Sequence, residues 1–359
     1  MKMPVRILLI ILCAVMIAAL PFVISSPNML NDVKMELMND ENDEDEIDFG
    51  RLFFSCASAE EEPSETETAE YEDEEIEVDT TEEGDLSPHP EWALPLDFTP
   101  GQEPNPQMYT ENGYTDDTIR VRLEEQAMDD GTKMFVAYIQ ISDPSQIRTG
   151  VANPEKVGSN RTKTVAAIAK NFNAVIAING DNYVDKPEKT TFEYRMTNKI
   201  RSKSNKTKDI LVIDDQGDFH LFVKSKGIKE FPKELKENGR TLVNAFTFGP
   251  ALVKDGELLE IDDNYGYNPH GREPRAAIGQ TGPLSYVLVI IQARDREGKT
   301  GMSQGKLAEF MYSLGCKQAF NLDGGNSAEI VIGDRYIKGM LNGDDRTLSD
   351  IIYFASIQQ

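Results

Sequence analysis

The stretch SQGKLAEFMYSLGCKQAFNLDGGNSAEIVIGDRYI, residues 303–337, changes its hydrophobic period twice. Leu307, Phe310, Met311 and Leu314 recur at helical spacing and Gly315 supplies a stop, so 303–315 predicts a helix. From Cys316 the pattern becomes a short apolar run, which ends on Asp323, Gly324, Gly325, Asn326 and Ser327. EIVIGDRYI (329–337) then alternates around a Gly-Asp tip, as a hairpin does. A helix, a buried strand, a glycine turn and a hairpin in direct succession point to an α+β fold.

The rest of the chain repeats these signals. RTKTVAAIAKNFN (161–173) has helical spacing and leads into the strand-like AVIAINGDNY (174–183), whose end carries Asn179, Gly180, Asp181, Asn182 and Tyr183. TIRVRLEEQ (118–126) and KMFVAYIQIS (133–142) alternate on either side of Asp130-Gly131. Further hairpins are predicted over 209–223, 251–261 and 277–294, and LSDIIYFASI (348–357) reads as a closing strand. The expected architecture is α+β: a mixed, hairpin-rich β-sheet with a few packed helices.

Charge divides the chain. Residues 31–105 hold 27 of the 62 acids against two bases, Lys34 and Arg51, whereas 106–359 keeps 35 acids against 33 bases. A run such as SAEEEPSETETAEYEDEEIEVDTTEEGD cannot bury enough apolar surface to offset chain entropy, so 31–105 is expected to be a disordered, self-repelling linker. Its apolar break, LFFSC (52–56), reads as a chance patch. Before it, Lys2 and Arg6 precede 18 apolar residues, Ile7 to Ile24, long enough as a helix to span the hydrocarbon of a bilayer. Residues 1–30 are therefore expected to be a single-pass membrane anchor, or a signal segment if cut near Ser25 and Ser26, with 106–359 outside the cytoplasm. Three cysteines, Cys13, Cys56 and Cys316, make no disulfide framework. A near-neutral domain behind an acidic linker excludes nucleic acid as a partner.

The two helix–strand–turn units are where chemistry is expected. Consecutive glycines free the backbone so that successive N–H groups converge on an anion, and an acid beside such a nest needs a task. Between the units, NPHGREPRAAIGQ (268–280) sets His270, Arg272 and Arg275 in a proline-braced loop, and an arginine fork suits phosphate. Each signal alone also fits a capped turn or a basic surface loop.

Together, AINGDNY, FTFGPALVKDGEL, PRAAIGQ, NLDGGNSA and LSDIIYF resemble, in order and spacing, the phosphodiester glycosidase family over about 115–357. In the matching pattern Asn326 stands at a third glycine and Ala276 at a threonine. The resemblance implies hydrolysis of a sugar-1-phosphodiester to free sugar and phosphomonoester, on cell-surface or exopolysaccharide glycans, by the domain 106–359. A phosphate leaves without the proton that an ordinary glycoside demands, so such a site wants anion donors and few acids. Asp323 is the candidate nucleophile or base, and Asp181 the second catalytic candidate, orienting water, bonding sugar hydroxyls or capping its turn. Asn179, Gly180, His270, Arg275, Asn321, Gly324, Gly325, Asn326 and Ser327 are the candidate substrate-binding residues. This reading needs no cofactor. Its alternatives are a non-catalytic carbohydrate-phosphate binding module, and a hard divalent cation such as Ca²⁺ on Asp181, Asp323 and Glu329.

Overall fold

The computed structural model describes residues 86–181, 191–293, 300–341, 343 and 346–359. The expected anchor, the linker up to residue 85, the patch at Cys56, and Asn182 and Tyr183 lie outside the described residues.

Strands β1–β19 form three sheets. The largest runs in the order β1 (Tyr109–Thr110), β2 (Gly113–Thr115), β3 (Ile119–Ala127), β4 (Lys133–Ile141), β15 (Ser285–Ile291), β14 (Arg275–Gly282), β16 (Gln318–Leu322), β12 (Ala251–Lys254), β13 (Glu257–Leu258). A second contains β10 (Phe219–Phe222), β9 (Ile210–Asp214), β11 (Leu242–Phe246), β7 (Phe192–Arg195) and β8 (Asn198–Ser202). The third contains β18 (Arg335–Lys338), β17 (Glu329–Ile332), β6 (Ala174–Asn179), β19 (Asp350–Ala355) and β5 (Ile147–Val151). The hairpins read from Asp-Gly and Gly-Asp tips are present as β3–β4, β12–β13 and β17–β18. The ladders between these strands are antiparallel, and an isolated parallel bridge joins Ala293 to Met340.

Strand alternation explains how the sheets share one core. On β14–β16, Ala276, Ile278, Leu288, Ile290, Phe320 and Leu322 face inward, and there they meet Ile176, Ile178, Ile330 and Ile352 of the third sheet and Leu211, Ile213 and Phe246 of the second. Each sheet's other face carries one helix. α1 (Val165–Asn171) covers Ala177, Ile351 and Tyr353; α2 (Phe231–Glu237) sets Leu235 against Ile210 and Val212; α3 (Gln304–Ser313) sets Leu307 and Met311 against Ala277, Val287 and Val289. Each fully buried Leu or Met contributes about 1.5–3 kcal/mol. Thr164 and Ser303 cap α1 and α3 with their hydroxyls.

The folded region begins before the expected boundary at 105/106. Leu94 and Phe98 pack on the α1 cluster, and Gln102 bridges to Ser356. The fully buried Arg148 donates to the carbonyls of Pro95, Asp97 and Thr99 at 2.7–3.1 Å. The acidic run ends at Asp85, and the tryptophan, leucines and phenylalanine that follow supply the apolar area it lacked.

Candidate active site

The two glycine-bearing strand ends belong to different sheets, β6 to the third and β16 to the largest, and they meet across the top of the shared core. Asn179 joins them. Its amide nitrogen donates to the Asp323 carbonyl at 2.8 Å, and its amide oxygen accepts the Glu329 N–H at 3.1 Å. Gly180 packs against the Asp350 carboxylate, which an added Cβ would meet at 2.5 Å. Asn321 is tied to the scaffold through its amide nitrogen, which donates to the Gly249 carbonyl at 2.8 Å, while its buried amide oxygen has no hydrogen-bond partner among the described residues. Asn179 and Asn321, expected to bind substrate, are buried scaffold side chains.

Asp323, 7% exposed, opens onto a cavity of about 280 Å³ whose walls include Phe248, Tyr267, Asn268, Pro274 and Gly324. Arg346 Nη1 stands 3.9 Å from Asp323 Oδ2. Glycine is required at 324 because a Cβ there would lie 2.6 Å from the Pro274 carbonyl. Gly325 then donates its N–H to that carbonyl at 2.9 Å, and Ser327 N–H closes back on the Gly324 carbonyl. These two N–H groups are thereby committed within the turn and are not free for the anion nest expected here. Asn326 is half-buried beside Gly343. The Ser327 hydroxyl is buried and has no hydrogen-bond partner among the described residues.

Arg275 lines the same cavity, but its guanidinium is committed to backbone carbonyls. Nε donates to the Met302 carbonyl at 2.9 Å, Nη1 to Tyr267 at 3.0 Å, and Nη2 to Asn268 and Gly271 at 2.7 and 3.0 Å. Burial pulls its pKa down to about 10. A fork committed to four carbonyls holds a loop; the expected phosphate contact is not what this geometry builds. His270 is also elsewhere: its side chain is 70% exposed, lies 3.2 Å from Asp263, and borders a separate cavity with Leu258 and Pro269.

Asp181 is closed off from solvent. Its Oδ1 accepts from Arg195 Nη2 at 2.9 Å and its Oδ2 from the Thr247 N–H at 3.1 Å. Arg195 also meets Glu193 at 3.0 Å and Asp350, and stacks on Phe246 at 4.0 Å, so three buried carboxylates share one guanidinium. Burial raises Glu193 well above the usual carboxylate range, with the Asp181 charge adding to it, and pushes Asp350 up to about 7. With Asp181 so engaged, the alternative cation site on Asp181, Asp323 and Glu329 is not assembled; no group of three or more His, Cys, Asp or Glu among the described residues is arranged to hold a metal.

The phosphodiester glycosidase family model matches residues 172–355, just over half of the chain. The chain belongs to the phosphodiester glycosidase family. The family's glycosidases act on phosphodiesters. The SPbeta prophage-derived uncharacterized protein YomE of Bacillus subtilis (strain 168) is 24% identical over 198 residues, 54% of this chain and 30% of that protein. The chain thus spans under a third of that relative's length. The catalytic domain of zebrafish N-acetylglucosamine-1-phosphodiester alpha-N-acetylglucosaminidase, auto-inhibited by its pro-peptide, shares the fold at TM-score 0.50 and 16% identity, over 66% of this chain and 83% of that one. A hypothetical protein from Synechocystis aligns at TM-score 0.42 and 15% identity, over 68% of this chain and 64% of that one.

The buried acid cluster predicts a pH profile. A carboxyl whose folded pKa lies above its unfolded one binds its proton more tightly when folded, so stability is lost as pH rises from 3.8 to about 7 for Asp350. Glu193 acts in the same direction. Asp350→Asn, which mimics the protonated form, is expected to flatten the fall in melting temperature between about pH 5 and pH 8. An unchanged slope would remove Asp350 from the titration.

Arg195, Glu193, Asp350, Phe248, Tyr267 and Arg346 were not singled out from the sequence. Phe248 carried a signal, since it lies in the family block FTFGPALVKDGEL. Arg346, in GDDRTLSD just before the last strand, had only its charge to show.

Proposed function

We propose that this chain hydrolyses the C1–O bond of sugar-1-phosphodiesters in the Asp323 cavity, releasing free sugar and a phosphomonoester. The observation that carries this reading is the placement of Asp323: a carboxylate at the wall of a small cavity, with the Phe248–Tyr267 pair on one side, rings stacked 4.0 Å apart, and Arg346 beside it. The C1–O electron pair leaves with the phosphate oxygen, which needs no carboxylic acid to protonate it. Water supplies the hydroxyl that ends on C1, and Asp323 either takes a proton from that water or bonds C1 first and is displaced by it. Arg346 is the guanidinium that offsets phosphate charge, the role expected from sequence of Arg275. The substrate is a cell-surface or exopolysaccharide glycan, reached outside the cytoplasm on the apolar anchor Ile7–Ile24 and the acidic linker.

The test is a panel of sugar-1-phosphodiesters incubated with the full chain, scored for equimolar free sugar and phosphomonoester. Equimolar release from at least one compound is expected. Binding across the panel without release would replace the hydrolase by a carbohydrate-phosphate binding module.

A further inference from the structure

Part of the wall of the Asp323 cavity is built on unfavourable backbone. Tyr267 and Asn268 are consecutive non-glycine residues at φ 68° and 53°, a left-handed conformation that side chains other than glycine resist. The bonds around them hold them there. Arg275 donates to the carbonyls of both and to that of Gly271; the Gln304 N–H donates to Pro269 at 2.9 Å; and the Asn268 amide nitrogen donates to Glu273 at 2.8 Å. The Tyr267 ring is clamped as well, by the Phe248 stack and by Lys208 Nζ, which lies 4.5 Å from its centroid. A strained segment fixed from several sides and presented to a cavity is a pre-organised recognition surface.

Resting on the hydrolase reading above, we propose that Tyr267 and Asn268 discriminate between sugars, and that Arg275 is a positioning residue that holds them in place. Tyr267, its ring faces held by Phe248 and Lys208, presents the ring edge to the sugar, and the Asn268–Glu273 pair hydrogen-bonds its hydroxyl or acylamino substituents. Arg275 does not touch substrate. Its planar fork reaches four carbonyls at once, which the point charge of a lysine cannot do.

Two variants of the full chain test this, Arg275→Lys and Asn268→Gly. Glycine adopts the φ at 268 without strain, so this second variant folds even if the first does not. kcat/KM is measured for two phosphodiesters that differ only in the sugar and for two that differ only in the group beyond phosphate. The ratio between sugars is expected to fall at least about tenfold in each folded variant, with the ratio between aglycones as in the wild type. Amide exchange at 267–271 is expected to speed up in Arg275→Lys. If the wild type cleaves and both ratios survive substitution, or fall equally, the recognition role is wrong while the hydrolase stands. If the wild type cleaves nothing on the panel, both readings fall.

Discussion

Arg195→Met is expected to lower the stability of the chain by about 3–5 kcal/mol, a large part of the roughly 5–15 kcal/mol that holds a typical domain. Arg195 is fully buried and faces Asp181, Glu193 and Asp350, all within hydrogen-bonding reach, while its Nη1 donates to the Tyr194 carbonyl at 2.9 Å. Methionine fills much of the volume and keeps contact with the Phe246 ring, so the loss reports the charge rather than a cavity. Three carboxyls without their cation must take up protons to stay buried. The variant should therefore lose more stability at about pH 8 than at about pH 5, a steeper dependence than the wild type's. Denaturant unfolding at both values measures it. A loss under about 1 kcal/mol at both would mean that the Arg195 guanidinium does not compensate buried carboxylate charge in this cluster.

Asp323→Asn is expected to cost about 10³-fold or more in kcat/KM, some 4 kcal/mol of transition-state stabilisation, while leaving the melting temperature close to that of the wild type. The side chain lines the cavity with Arg346 Nη1 3.9 Å from its Oδ2, and an amide of equal size fits there. Asp181→Asn should show the opposite balance. It breaks a pair with Arg195 that is closed to solvent, and stability should drop. Measuring turnover and melting for both variants separates the catalytic candidate from the structural one. A collapse of activity in Asp181→Asn at intact stability, with Asp323→Asn still active, would exchange their roles.

Local signals were legible in the sequence and long-range ones were not. Hairpin tips such as Asp130-Gly131 and Asp255-Gly256 set their own strand pairs, and α3 declared itself through Leu307, Met311 and the Gly315 stop. The paired turns after β6 and β16 were visible as repeats of one pattern, although nothing local said that they sit in different sheets, joined by Asn179. β7 reads FEYR, polar at alternate positions like an exposed strand, and only the fold reveals that Glu193 and Arg195 are buried. Their partner Asp350 is 155 residues from Arg195 along the chain. Arg275 was recognised as a fork near the site, but its direction depends on the Met302 carbonyl and on the loop at Tyr267. Spacing names the candidates; contacts made across the core assign their tasks.

The measurement closest to the central claim follows the oxygen of water. Turnover of a sugar-1-phosphodiester by the full chain in oxygen-18 water, with products resolved by mass, should place the label on the anomeric hydroxyl of the released sugar and none on the phosphomonoester. Label on the phosphate instead would mean that the P–O bond is cut, making the Asp323 cavity a phosphodiesterase site and contradicting the assignment of Asp323 to attack at C1.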